Sequence, residues 1–101
     1  MAFMIFCLDK PNHVDTRLAN RPAHVEHLTN HESHLISAGP LLTDDGETMI
    51  GSLLAIDFDS REAAQAWLAG EPFYRAGLYA SATIHAFVNL WPQKAGFAPA
   101  T

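Results

Sequence analysis

The chain has 101 residues, of which 49% are apolar and 17% charged, so it has room for one domain (residues 1–101) and enough apolar surface to outweigh chain entropy, which excludes a disordered chain. Six Lys and Arg stand against eleven Asp and Glu, a net charge of -5, and no basic run is present to neutralise a phosphate backbone, which excludes nucleic acid as a partner. The single cysteine, Cys7, excludes an internal disulfide and points to a reducing, cytoplasmic compartment.

Residues 2–8, AFMIFCL, form a continuous apolar run of strand type, covered on both faces or at an interface, with Cys7 buried in it. The run is short, lacks a preceding basic region and ends at Asp9-Lys10-Pro11, so it reads as a strand and not as a signal peptide or membrane span. A soluble protein without a membrane partner is expected.

From about Thr16 to Ser33 the pattern turns helical, with Leu18, Val25 and Leu28 as its apolar stripe. Pro22 lies inside this stretch. Because proline is tolerated in a first turn and costly in an interior, the regular helix is expected to start near Arg21 or to kink there.

Residues 35–42, LISAGPLL, read as a strand broken at Gly39-Pro40, followed by a turn over 43–47 and a partner strand over 48–58. Alternation places Ser52 on the same face as Leu54, Ile56 and Phe58, a hydroxyl on an apolar surface. Asp59 and Ser60 are N-cap candidates for a helix over 61–69 that buries Ala63, Ala64, Trp67 and Leu68 and closes at Gly70. After the break at Glu71-Pro72, a helical turn over 73–77 leads to a last strand over 78–88. The order βαββαβ is that of an α+β, ferredoxin-like split βαβ sandwich, with two helices on one face of a four-stranded antiparallel sheet. Its other face needs cover, which two copies packed sheet to sheet would give as a homodimeric α/β barrel. The tail over 89–101, with Trp91 and Phe97 between prolines, is expected to lie on the partner subunit.

Several short pieces occur in order along nearly the whole chain: DKP at 9–11, Arg17, RPAH at 21–24, AGPLL at 38–42, DDG at 44–46, GSL at 51–53, EPF at 71–73 and AGL at 76–78. Together they resemble the YCII-related (YciI-like) family. That resemblance implies a ferredoxin-like subunit in a dimeric α/β barrel, with a pocket beside a histidine and an acid regarded as a catalytic pair. It also implies kinship with dehydrochlorinases of chlorinated hydroxyhydroquinones and, more widely, with muconolactone isomerases and small monooxygenases. By motif the histidine is His24 and the acid is Glu71. The family usually carries Asp before Pro-Phe or Pro-Tyr, so Glu71 adds a methylene and reaches the imidazole only if backbone or rotamer adjusts.

The chemistry implied has His24 moving a proton near neutral pH while Glu71 fixes its tautomer, on a phenolic or enol-lactone substrate. Ser52 would orient a substrate hydroxyl, Arg17 and Arg75 would anchor an anion or pair with nearby acids, and Phe73 with Gly39 and Pro40 would line the pocket. Gly39-Pro40 and Gly51 also read as places of close backbone approach or a bulge. No metal or organic cofactor is needed by this scheme. The bland alternative has His24 in a buried polar contact and Glu71 capping the next helical turn, in a dimer that binds a metabolite without turning it over.

His24, His27, His31 and His34 follow one another at spacings of three, four and three, as metal ligands do. Only His27 and His31 have chelating i, i+4 geometry, and His24 lies nearest the apolar stripe while His27 and His34 fall farthest from it. A solvated polar face is therefore expected, with no metal.

Overall fold

The computed structural model describes residues 1–92, so the expected placement of Phe97 and the end of the tail lies outside the described residues. Strand β1 (Ala2–Asp9) is followed by α1 (Val14–Thr29), a 3-10 turn (Glu32–His34), β2 (Leu35–Leu42), β3 (Met49–Asp57), α2 (Arg61–Ala69), the single turn α3 (Pro72–Arg75) and β4 (Tyr79–Phe87). The strands form one antiparallel sheet in the order β2-β3-β1-β4, the ferredoxin-like arrangement expected.

Strand parity organises the core. Phe3, Ile5 and Cys7 of β1, Ser52, Leu54 and Ile56 of β3, Phe58 beyond it and Ile84 of β4 are all buried, as period-two alternation requires of a face covered by helices. From the helices, Ala64, Trp67, Leu68 and Phe73 close over them. Helix α2 starts where expected, with Ser60 Oγ accepting the Ala63 N–H at 3.1 Å. Across β1 and β3 the backbones come so close at Gly51 that an added Cβ would lie 2.3 Å from the Cys7 carbonyl oxygen, so only glycine fits. At Gly39 a Cβ would meet open space, so the expected close approach does not occur there.

Three expectations are corrected. Helix α1 begins at Val14, about two turns before Arg21, and runs through Pro22 to Thr29. Leu18 and Pro22 are both exposed, so the carbonyl deprived of its i+4 N–H has access to water. Strand β2 is not broken at Gly39-Pro40: Pro40 pairs opposite Ser52 in an edge strand, where a missing N–H costs no ladder bond. Finally, the buried face of α1 is not the apolar stripe, since Leu18 and Val25 are 53% and 42% exposed while Arg17 and His24 are buried. Leu28 alone of that stripe packs on the core. A helix can bury polar groups seven residues apart only when each finds a partner, and both do.

Candidate functional site

The early start of α1 stands Arg17 and His24 on one face of the helix, above β1 and beside α3. Asp9 ends β1, at a register shift in its pairing with β4 that sets it opposite Tyr79. Arg17 donates from Nε and Nη2 to the two Asp9 carboxylate oxygens at 2.7 and 2.9 Å, a bidentate buried pair. Its Nη2 also donates to Ser52 Oγ at 3.0 Å, and its guanidinium lies 4.5 Å over the Phe73 ring. Tyr79 donates its hydroxyl to the same Ser52 Oγ at 3.4 Å. Ser52, placed inward by strand parity, thus gathers contacts from α1 and β4.

Glu71 sits between α2 and α3 with no exposure to solvent. As the N-cap of α3 it accepts the Phe73 N–H on Oε1 and the Tyr74 N–H on Oε2, each at 3.2 Å. Oε1 also accepts a short hydrogen bond from His24 Nδ1. The additional methylene of Glu thus lets the side chain that caps α3 also touch the imidazole. Burial pushes the Glu71 pKa up, but the His24 hydrogen bond and charge, with the Phe73 and Tyr74 N–H groups, outweigh it and hold the carboxyl below its ordinary 4.5. An ionised carboxylate only accepts, so the His24 proton facing it sits on Nδ1, and Nε2 carries the free lone pair of the neutral ring. The ring stacks on Phe73 with centroids 4.0 Å apart and planes 15° from parallel. Nε2 has no partner among the described residues and is not sealed in the interior.

Beside these groups opens a cleft of about 170 Å³, walled by Arg17, Arg21 and His24 of α1, Gly39 and Pro40 of β2, Ser52 of β3 and Phe73, with Val25, Leu28, Ala38 and Met49 supplying apolar surface. A cavity of roughly 150 Å³ accepts one benzene ring, so this space is of the size of a single six-membered ring.

The structure brings His24, Glu71, Arg17, Ser52, Gly39, Pro40 and Phe73 together and leaves Arg75 out. Arg75 ends α3 on the far side, in a separate depression with Asn20, Gly70, Pro72 and Ala76, because one turn of helix points it away from Phe73. Three contributors were missed by sequence reasoning. Asp9 takes up the Arg17 charge, Tyr79 reaches Ser52, and Arg21 lines the cleft with no carboxylate partner among the described residues. Arg21 was legible in principle, since Arg17, Arg21 and His24 are spaced i, i+4 and i+7 on one helix face.

The other histidines follow a different logic. His27 was expected to face solvent but lies half-buried against α2, its ring 4.6 Å from that of Trp67 and its Nε2 3.2 Å from the Trp67 carbonyl oxygen, which accepts an N–H there. His31 approaches the same indole at 6.2 Å, and His34 is exposed. His27 of α1 and His31, just beyond its end, thus both pack on Trp67 of α2. Among the described residues no three His, Cys, Asp or Glu side chains come together as a metal cage. Cys7 is fully buried, and burial, with the Glu71 charge adding to it, pushes its thiol up to about 12, so it is no nucleophile near neutral pH. No described helix is long and apolar enough to cross a membrane.

A ferredoxin-like fold with a small cleft beside a carboxylate-bound imidazole defines the class. Residues 1–88 match the model of the YCII-related domain, and the chain belongs to that family. It is 34% identical over 98 residues to protein YciI of Escherichia coli O6:H1, covering 90% of this chain and all of that one. An uncharacterised Haemophilus influenzae protein matches with the same identity and coverage. Among solved structures it is similar to 5-chloro-2-hydroxyhydroquinone dehydrochlorinase (TftG) from Burkholderia phenoliruptrix AC1100, in complex with 2,5-dihydroxybenzoquinone. That likeness has a TM-score of 0.82 at 27% identity and covers 87% of this chain and 94% of that one.

Proposed function

We propose that the protein is a cofactor-independent acid–base enzyme of lyase or isomerase type, acting on a small phenolic or enol-type ring compound, with His24 as the base and Glu71 as its partner. The observation that carries this reading is the buried Glu71 carboxylate on His24 Nδ1, which leaves Nε2 as a lone pair in reach of the cleft. Nε2 takes a proton from a ring hydroxyl or an acidic carbon, and Glu71 stabilises the imidazolium that results. Where the substrate is an enol with a leaving group on its allylic carbon, the O–H pair becomes the carbonyl, the ring double bond shifts, and chloride departs with the C–Cl pair while the proton rests on Nε2. Where no leaving group is present, the proton returns to another carbon and the product is an isomer. The likeness to a dehydrochlorinase held with a ring quinone, and a cleft of one-ring size, support this substrate class. Incubation with chlorinated hydroxyhydroquinones and enol lactones, following product and released chloride, tests it; no product from any of them would count against it.

A second reading has its own support. Glu71 also caps α3, so the pair has a structural use, and a dimer that holds a metabolite without converting it is compatible with the same cleft. Saturable binding with no product would decide for it.

The subunit is further proposed to act as a homodimer. On the sheet face away from the helices, Phe6 lies between Leu53 and Thr83 on the flanking strands, with Met4 and Leu8 along the same strand; Leu8 and Leu53 are each 39% exposed. A sheet face this apolar needs cover, and a second copy supplies it symmetrically. Sedimentation at micromolar concentration is expected to give twice the chain mass, and Leu53→Glu to give the single mass. A wild-type monomer would contradict the arrangement.

A further inference from the structure

Ser52 lies at the buried end of the cleft with 1% exposure, and its hydrogen bonds fix what it can offer a ligand. A serine hydroxyl has one donor and two acceptor positions. Arg17 Nη2, which has only protons to give, takes one acceptor position at 3.0 Å. Tyr79 donates its hydroxyl to the other at 3.4 Å. With both acceptor positions taken, the Ser52 O–H is the position left to offer a ligand. A positive group bonded to the oxygen strengthens that O–H as a donor.

We propose that Ser52 is a donor-only hydroxyl, and that the cleft therefore selects ring compounds which present an enolate, phenolate or carbonyl oxygen to it, with the Arg17 charge transmitted through Ser52. A substrate hydroxyl can meet Ser52 only through its oxygen, as a weaker acceptor than an anionic or carbonyl oxygen, since its own O–H finds no free lone pair there. The assignment rests on the acid–base reading of His24 for its purpose: as Nε2 removes a proton, negative charge grows on the substrate oxygen that faces Ser52. Arg21 at the cleft wall, with no carboxylate partner among the described residues, supplies a second positive charge for the same anion. Asp9 is the positioning residue of the group, because it holds Arg17 in the orientation that reaches Ser52.

Binding measurements separate this from the chemistry. The probes are 2,5-dihydroxybenzoquinone, whose anion is followed by its visible absorption, and hydroquinone, which is neutral and brings O–H donors. Wild type is expected to bind the quinone anion far better than hydroquinone, and Ser52→Ala to weaken the anion by roughly ten- to a hundredfold, as loss of a hydrogen bond to a charged group requires. Tyr79→Phe frees an acceptor position on Ser52 without touching the cleft wall, so it is expected to narrow the preference by improving hydroquinone binding. Three results would each overturn the assignment: no binding of the anion by wild type, unchanged anion affinity in Ser52→Ala, or an unchanged preference in Tyr79→Phe. His24→Asn keeps the Ser52 contacts, so retained anion binding there, with the Ser52 effect intact and no turnover of any substrate by wild type, would uphold the donor-only serine while removing the enzymatic reading.

Discussion

Glu71→Ala is expected to lower the unfolding free energy by about 3–5 kcal/mol, the range for removing one partner of a buried pair. The carboxylate has no solvent contact and accepts three hydrogen bonds, so its loss strands the His24 Nδ1–H and the Phe73 and Tyr74 N–H groups at once. Since whole domains are held by about 5–15 kcal/mol, such a change takes a large share of the total. Glu71→Gln keeps the volume and one acceptor oxygen, and is expected to cost about 1–3 kcal/mol. Urea unfolding of the three proteins measures both differences. The pH dependence follows from the same group: the folded-state pKa of Glu71 is depressed, so its contribution is fully present above 4.5 and is lost as pH falls below that value. Glu71→Gln should lack this acid-sensitive part. A Glu71→Ala protein as stable as wild type at neutral pH would show that the pair contributes nothing to the fold.

His24→Asn is expected to lower turnover by about 10²- to 10⁴-fold on whatever phenolic or enol substrate the wild type converts, the usual contribution of a positioned general base. Asparagine keeps an N–H directed at Glu71, so the buried carboxylate stays hydrogen-bonded, but no basic nitrogen remains in reach of the cleft. The loss should fall on kcat, with affinity for an anionic product analogue little changed, because the Ser52, Arg17 and Arg21 side of the cleft is intact. Undiminished turnover in a folded His24→Asn protein would remove His24 as the base.

Much of this arrangement was legible in the residues. Ser60 ahead of an Ala64, Trp67, Leu68 stripe identified α2 and its cap, and alternation from Ser52 to Phe58 placed the serine inward, because local hydrogen bonding and period-two burial act within a few residues. The start of α1 was not legible, since the rule against interior proline assumes a carbonyl without water, whereas Leu18 and Pro22 lie at the surface. The continuity of β2 through Pro40 was hidden for a related reason: whether a strand is an edge is a property of the sheet, not of the strand. Arg17 read equally as an anion anchor or as the partner of a nearby acid, because the acid that takes up its charge, Asp9, comes from a different element and is brought there by the turn between β1 and α1. His27 misled in the same way, since the helix periodicity could not reveal that Trp67 of α2 lies against its polar side. The pairing of His24 with Glu71 spans 47 residues, and motif resemblance suggested it where spacing had no means to.

The proposed chemistry requires Glu71 to fix His24 with its proton on Nδ1 and its lone pair on Nε2. Nitrogen-resolved NMR of the imidazoles in wild type and Glu71→Gln addresses it most directly, with the exposed His34 and His85 as internal references. The wild-type neutral ring of His24 is expected to show a single tautomer with Nδ1 protonated and Nε2 bare, and Glu71→Gln to disturb that tautomer while leaving His34 and His85 unchanged. A His24 that shows the same tautomer mixture as the exposed rings, and ignores the substitution, would contradict the pairing and the acid–base chemistry built on it.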